Sequence, residues 1–472
     1  ALPLVGPAGG VQNFYHATGV QIGITHSAAI GKAMAEWLTE GETEWDLSAW
    51  DPRRFGYWAS PDYAAARASE HYDLQYAIPY PHRLLQSGRP VNQTPLFDHL
   101  AGQGAVMGQI GGWERALWFD VDAKPDQLSF GEEPWMDAVR RECETVRDSV
   151  GIMDHGGFTK YLIEGPDAAD VLNRIFCGTL PKMGRVRLSY MLTPGGKIWS
   201  EATIARLGDD RFLLCGPTMA VDRDYDWIAG QLQGAEATLT KGYVRDGALL
   251  VMGPNARAVL EGLTDADLHA PWMSVLDTTV AGAPVTALRV SYVGELGWEL
   301  HVTSGHLPTL YDAIWEAGQP HGICNFGSYA LNAMRVEKGY HGWAADFGTE
   351  YTLFDAGLGK FANLDKGDFT GRDAVLRQRD ETPNWQFIGL EITDPGPEPL
   401  PSDPVVVGDR VVGYLTSVTM GYRTGKLLAL GYVETGAVDL GGACHVQAFG
   451  VMRAATRHSP HVYDPGNDRL RG

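Results

Sequence analysis

RVSYVGELGWELHV, residues 289–302, decides how this chain is read. Polar and apolar residues alternate on both flanks, with Val290 and Tyr292 before the centre and Trp298, Leu300 and Val302 after it. Gly294-Glu295-Leu296-Gly297 between them predicts a tight turn, because glycine reaches backbone angles that other residues avoid, and the stretch is expected to form a β-hairpin. A surface hairpin with solvated glutamates is one reading. The other comes from its load, since Glu295 and Glu299 stand four residues apart between Tyr292 and Trp298. A carboxylate beside aromatic walls suits a flat heterocycle that donates N–H groups, as a pterin does.

A second stretch with chemical content is RLSYMLTPGGKIWSEATI, residues 187–204, which reads as strand, Thr-Pro-Gly-Gly turn, strand. Glu201 sits among Ile198, Trp199, Ala202 and Ile204. If it points inward, burial raises its pKa and lets it exchange a proton near neutrality; if the strand simply alternates, it faces water. GSYALNAMRVEKG, residues 327–339, reads as a helix with Ala330, Met334 and Val336 toward the core. On it, Arg335 could pair with Glu337 or reach a ligand carboxylate. YLIEGPDAADVLNRIF and VRDGALLVMGPNARAVLEGL repeat one grammar of strand, Gly-Pro and helix, which suggests two related lobes.

Taken together, GIMDHGGFTKYLIEGPDA, the hairpin with Glu201, the GELG stretch and the EKG ending resemble the aminomethyltransferase family, the T-protein of the glycine cleavage system. The closest resemblance is to the folate half of dimethylglycine and sarcosine dehydrogenases. It implies an α+β fold of two related α/β lobes and a C-terminal β-barrel. It also implies tetrahydrofolate as cofactor, Glu201 as the catalytic proton carrier, and Tyr190, Tyr292, Glu295, Trp298, Glu299 and Arg335 around the cofactor. Glutamate at 201 is a methylene longer than the aspartate of the glycine-cleavage branch. Leu331 stands where that branch has an arginine, so recognition of the folate tail does not carry over.

The front of the chain fits the same relatives. GVQIGITHSAAIGKAMAEWLTEG predicts a glycine-rich loop and a helix over about 27–39, and DPRRF at 51–55 resembles the close of a flavin domain. The chain is therefore expected to begin inside such a domain, as a fragment, as one chain of a split enzyme, or with a relic segment reused for packing. Residues 56–120, with repeated prolines and GWER at 112–115, resemble the linking domain between flavin and folate halves. Residues 120–133 read as an exposed loop and 135–149 as a helix. After 378–383, strand-like runs separated by Gly, Pro and Asp turns predict a small β-barrel, with Tyr422 and Arg423 facing inward. The expected domains are 1–55, 56–120, 121–377 and 378–472.

Composition sets the outer limits. A formal net charge of −20 argues against nucleic acid or an anionic membrane as partner. Five scattered cysteines without a CxxC pair read as reduced thiols, and no apolar run is long enough for a membrane span. Cytoplasm is the expectation, or the mitochondrial matrix in a eukaryote. No metal site is expected.

The resulting expectation is capture of a methylene group from an N-methylated amine such as dimethylglycine or sarcosine, as iminium or formaldehyde, giving 5,10-methylenetetrahydrofolate. FAD would act only on a flavin-binding partner chain or on sequence before residue 1. Two alternatives stand beside it: a flavin-independent, tetrahydrofolate-dependent demethylase acting on an O-, S- or N-methyl compound, and a non-catalytic regulatory subunit of the same fold.

Overall fold

The two echoing runs fold alike. Strand Thr159–Glu164 passes through Gly165 into helix Ala168–Ile175, and strand Gly247–Met252 passes through Gly253 into helix Ala256–Glu261. Gly165 and Gly253 adopt φ of +136° and +132°, and a Cβ on either would lie 2.4 Å from a carbonyl oxygen, of Glu236 and of Ser149. Only glycine makes this sharp return of helix onto sheet. The molecule, a computed structural model describing residues 2–120, 122, 128–243 and 246–472, is built around the two sheets these units seed.

The first sheet has five strands in the order Thr238–Lys241, Thr159–Glu164, Arg211–Gly216, Ile198–Gly208, Val186–Leu192. The second has six: Val275–Val280, Ala283–Leu288, Gly297–Val302, Gly247–Met252, Gly151–Asp154, Cys324–Asn325. Strand Gly151–Asp154 belongs to the second sheet although it precedes every strand of the first in sequence. Each sheet has a core on its helix-bearing side. Ile163, Leu172, Ile204 and Phe212 form one, and Leu249, Val285, Trp298, Leu300 and Tyr311 the other. Trp385–Ile392, Lys426–Glu434, Arg410–Gly421, Pro404–Val407, Ala443–Ala448 and Val451–His458 close a six-stranded barrel. The α+β architecture of two lobes and a C-terminal barrel is therefore as expected.

Several local expectations change. The decisive stretch is not a hairpin with a GELG turn. Ala283–Leu288 pairs with Gly297–Val302, in register Leu288↔Glu299, and all of 289–296 is the connection. The front helix starts at Gly23 rather than near 27, so Gly23 lies within it. The linking region holds a 13-residue helix, Pro61–Asp73, capped by Ser60 and ended before the prolines begin. In the predicted loop at 120–133, residues 121 and 123–127 lie outside those described, while Asp120 and Glu133 at its ends are buried. The five cysteines carry free thiols. Among the described residues no helix is long and apolar enough to cross a membrane.

Candidate functional site

On strand Ile198–Gly208, Ser200, Ala202 and Ile204 are buried and Glu201 and Thr203 lie on the other face, while Trp199, at an irregularity in the pairing with Val186–Leu192, packs against the first-lobe core and stacks on Trp227. Glu201 lies opposite Tyr190 on Val186–Leu192. Its carboxylate takes no hydrogen bond from any described residue. Burial pushes it up to about 8, with Arg335 pulling it down and Asp346 countering that pull. Glu201 nevertheless keeps some accessible surface, as a group lining a gap does.

Around it stand Tyr190, Tyr292 and Arg335. Tyr190, expected beside the cofactor, is 1% exposed and packed edge-on against Phe347 and Phe361, so it adjoins Glu201 but offers a ligand no surface. Tyr292 donates its hydroxyl to the His341 carbonyl at 2.6 Å and stacks on Tyr340. Arg335, expected to reach a ligand, has no donor nitrogen to spare. It pairs with Asp346 and donates to Ser417 at 2.7 Å, Asn332 at 3.0 Å and the Tyr340 carbonyl at 3.0 Å. Nor does it pair with Glu337, which holds Arg423 instead at 2.7 Å, because residues two apart on a helix point to different sides.

The second lobe supplies the other carboxylate. On Gly297–Val302, Trp298 and Leu300 enter the core while Glu299 and His301 face away from it. Burial opposes the ionised form of Glu299, but the neighbouring His301, His155 and Lys160 outweigh it and hold its pKa below the usual value. The His301 Nε2 is 3.5 Å from the carboxylate. His155 is itself pushed by burial down to about 3, and burial also lowers Lys160, with Glu299 among the charges that counter it. Cys215, opposite Thr203 in the first sheet, feels the Glu299 charge. Glu201, Thr203 and Cys215 share a face, so both glutamates look onto the gap between the sheets.

Two predicted ligand residues are elsewhere. Trp298 is 0% exposed and packs in the second-lobe core, because strand alternation sets it on the face opposite Glu299. It is not a wall of the gap. Glu295 is held by Arg423 at 3.1 Å, Tyr463 at 2.6 Å and Arg469 at 2.8 Å, which fastens the C-terminal segment to the 289–296 connection. With three donors and 1% exposure, it has no capacity for a ligand. Arg423 does face inward, as expected, whereas Tyr422 is half-buried. The residues that sequence reasoning missed are Lys160, Asp346, Arg115 and His155. Lys160 and Arg115 fall within stretches already singled out, but nothing local showed which way they point.

The family model described as the GCVT N-terminal domain matches residues 96–366. The glycine cleavage T-protein C-terminal barrel domain matches 386–464, and the FAD dependent oxidoreductase central domain 40–94. The chain is 34% identical over 469 residues to mitochondrial dimethylglycine dehydrogenase of Mus musculus, covering 96% of this chain and 53% of that protein. It is 31% identical over 481 residues to 4-methylaminobutanoate oxidase (formaldehyde-forming) of Paenarthrobacter nicotinovorans, covering 99% of this chain and 58% of that one. It thus spans little more than half the length of these relatives. The crystal structure of glycine cleavage system aminomethyltransferase T from Bartonella henselae superposes with a TM-score of 0.70 at 22% identity, over 79% of this chain and 98% of that one. With the first of these models matching more than half of its length, the chain belongs to the glycine cleavage T-protein (aminomethyltransferase) family.

Proposed function

We propose that this chain transfers a one-carbon unit from an N-methylated amine, of the dimethylglycine or sarcosine type, to tetrahydrofolate as a methylene group. The observation that carries this reading is the pair of glutamates on one gap, Glu201 with its pKa near 8 and Glu299 held below its usual value. The names of the relatives, which act on methylated amines, point the same way.

The residues fit a reduced pterin. Glu299, ionised, can accept from ring N–H groups, and the half-buried Tyr292 gives flat surface beside Glu201. Tetrahydrofolate, when bound, supplies the nitrogen nucleophile that takes up the one-carbon unit. Glu299 orients the pterin through its carboxylate. Glu201, half-protonated near pH 8, gives or receives one proton at its carboxyl oxygen as the attacking nitrogen loses its own. Asp346 neutralises Arg335, so that Glu201 keeps the proton at neutral pH. The oxidation that makes the electrophilic carbon is assigned to a flavin on a partner chain or on sequence outside these residues.

Calorimetric titration with tetrahydrofolate, beside a Glu299→Ala variant, tests this reading. Binding should weaken about 10- to 100-fold in the variant, as loss of charge-assisted hydrogen bonds implies. Absence of binding by the unaltered chain would remove the folate assignment.

A further inference from the structure

A buried cation normally has a buried anion. Arg53, Arg223, Arg335, Arg423 and Arg453 obey this, each held by a carboxylate from Asp51, Asp224, Asp346, Glu295 with Glu337, and Asp394. Arg289 instead donates to two backbone carbonyls. Arg115, the last residue of GWER, is different. It is 8% exposed, pairs with no carboxylate among the described residues, and makes one hydrogen bond, to the Thr218 hydroxyl. Its Nε is buried without a partner. Burial drives the guanidinium down to about 10, opposed only by the more distant charge of Asp154.

The surroundings show where an anion would come from. The guanidinium lies 4.1 Å from the centre of the Phe158 ring, and His155 stacks on the same ring at 3.8 Å. His155 in turn feels the charges of Glu299, Arg115, Lys160 and His301 together, so Arg115 borders the neighbourhood of the gap. Asp154 is turned away, accepting from the Thr94 hydroxyl and, at 2.9 Å, from the Gly156 N–H. The cavity that Arg115 itself lines, together with Glu114, Thr94, Asp154 and Gly156 among others, is about 10 Å³, room for one water.

We infer that Arg115 receives the carboxylate of a ligand bound beside Glu299, carried by the amino-acid-type amine or by the glutamate of folate. The planar fork of arginine suits a carboxylate, and a site that lacks its own anion gains most from one brought by the ligand. The inference rests on the one-carbon transfer reading for the identity of its ligands, but its test is separable.

The test is calorimetric titration of the unaltered chain, Arg115→Gln and Arg115→Lys with tetrahydrofolate, 6-methyltetrahydropterin (which has no carboxylate) and N,N-dimethylglycine, with thermal unfolding alongside. Arg115→Gln should lose about 10- to 100-fold in affinity for a carboxylate ligand, keep its affinity for 6-methyltetrahydropterin, and unfold no earlier than the parent. Loss confined to tetrahydrofolate assigns the folate glutamate; loss confined to dimethylglycine assigns the amine. Arg115→Lys keeps the charge without the fork, so the same affinity should fall by a smaller factor, and this variant carries the test if the glutamine one fails to fold. Unchanged affinity for both carboxylate ligands in a folded variant overturns the proposal and leaves a structural arginine satisfied by water. Failure of the unaltered chain to bind 6-methyltetrahydropterin counts against the folate reading, while an arginine-dependent affinity for dimethylglycine would still uphold this one.

Discussion

The two lobes each present one glutamate from a central strand to the same gap, and the two carboxylates are tuned in opposite directions. Glu201 is desolvated with no hydrogen-bond donor among the described residues, and the cation acting on it, Arg335, is already paired with Asp346. Glu299 is also desolvated, yet it has the His301 ring at 3.5 Å and the charge of Lys160. Burial acts alike on both, so the neighbours decide: one carboxyl keeps a proton at pH 7 and the other does not. A pair driven apart in this way can divide proton transfer from ligand recognition.

The largest effect should come from cutting that division on the protonated side. Glu201→Gln keeps the shape and a neutral side chain but removes the exchangeable acid. One-carbon transfer to tetrahydrofolate should fall about 10²- to 10⁴-fold. Tetrahydrofolate affinity, measured by titration, should stay within a few-fold of the parent, in contrast with Glu299→Ala. A variant that lost binding rather than turnover would break the comparison, since both glutamates would then be ligand contacts.

The same comparison shows what sequence could reveal. The Gly-Pro echo exposed the two lobes, because the backbone angles of Gly165 and Gly253 demand glycine locally. Glu201 was legible as a carboxylate on an apolar strand, and its orientation needed only strand alternation. That same alternation, applied from Glu299, would have sent Trp298 into the core, but the assumed turn at 294–297 obscured where the strand begins. Glu295 was illegible for a different reason. Its partners Arg423, Tyr463 and Arg469 are more than 120 positions away, and no local pattern reports them. Lys160 and Arg115 share that difficulty, since their neighbours Asp246 and Thr218 are 86 and 103 positions away.

An intermediate effect should follow from Asp346→Asn, which leaves Arg335 with an uncompensated charge. The groups facing Glu201 are Tyr190, Tyr292, Arg335 and Asp346, so the net local change is one positive charge. An uncompensated positive charge favours the ionised carboxylate. The limb of the pH–rate profile that belongs to Glu201, near pH 8 in the parent, should therefore move to lower pH, by roughly one unit. The substitution also strips a buried pair, so thermal unfolding should come earlier. Earlier unfolding with an unmoved limb would mean that Arg335 does not act on Glu201.

The smallest effect is on stability alone, and its sign follows from linkage. Glu201 has a folded pKa near 8 and an ordinary unfolded value of 4.5. Between these values the folded chain binds more protons than the unfolded one, so stability falls as pH rises. The contribution is at its full value below the unfolded pKa, and each step upward costs more until the folded pKa is passed. Glutamine cannot ionise, so Glu201→Gln should match the parent in melting temperature near pH 5 and exceed it near pH 8, by roughly a few degrees. Some slope will persist in the variant, because Glu142, bonded at 2.7 and 2.8 Å to the Phe119 and Gly327 amides, is likewise raised to about 8. Glu299 gives the contrast: its folded pKa is depressed, so its contribution is present above the unfolded value and is lost as pH falls through the folded one. Melting curves of Glu299→Gln should therefore differ from the parent in the opposite sense, the variant being less stable at neutral pH and converging with the parent in acid. If both variants shifted the same way with pH, the two carboxylates would not be tuned apart.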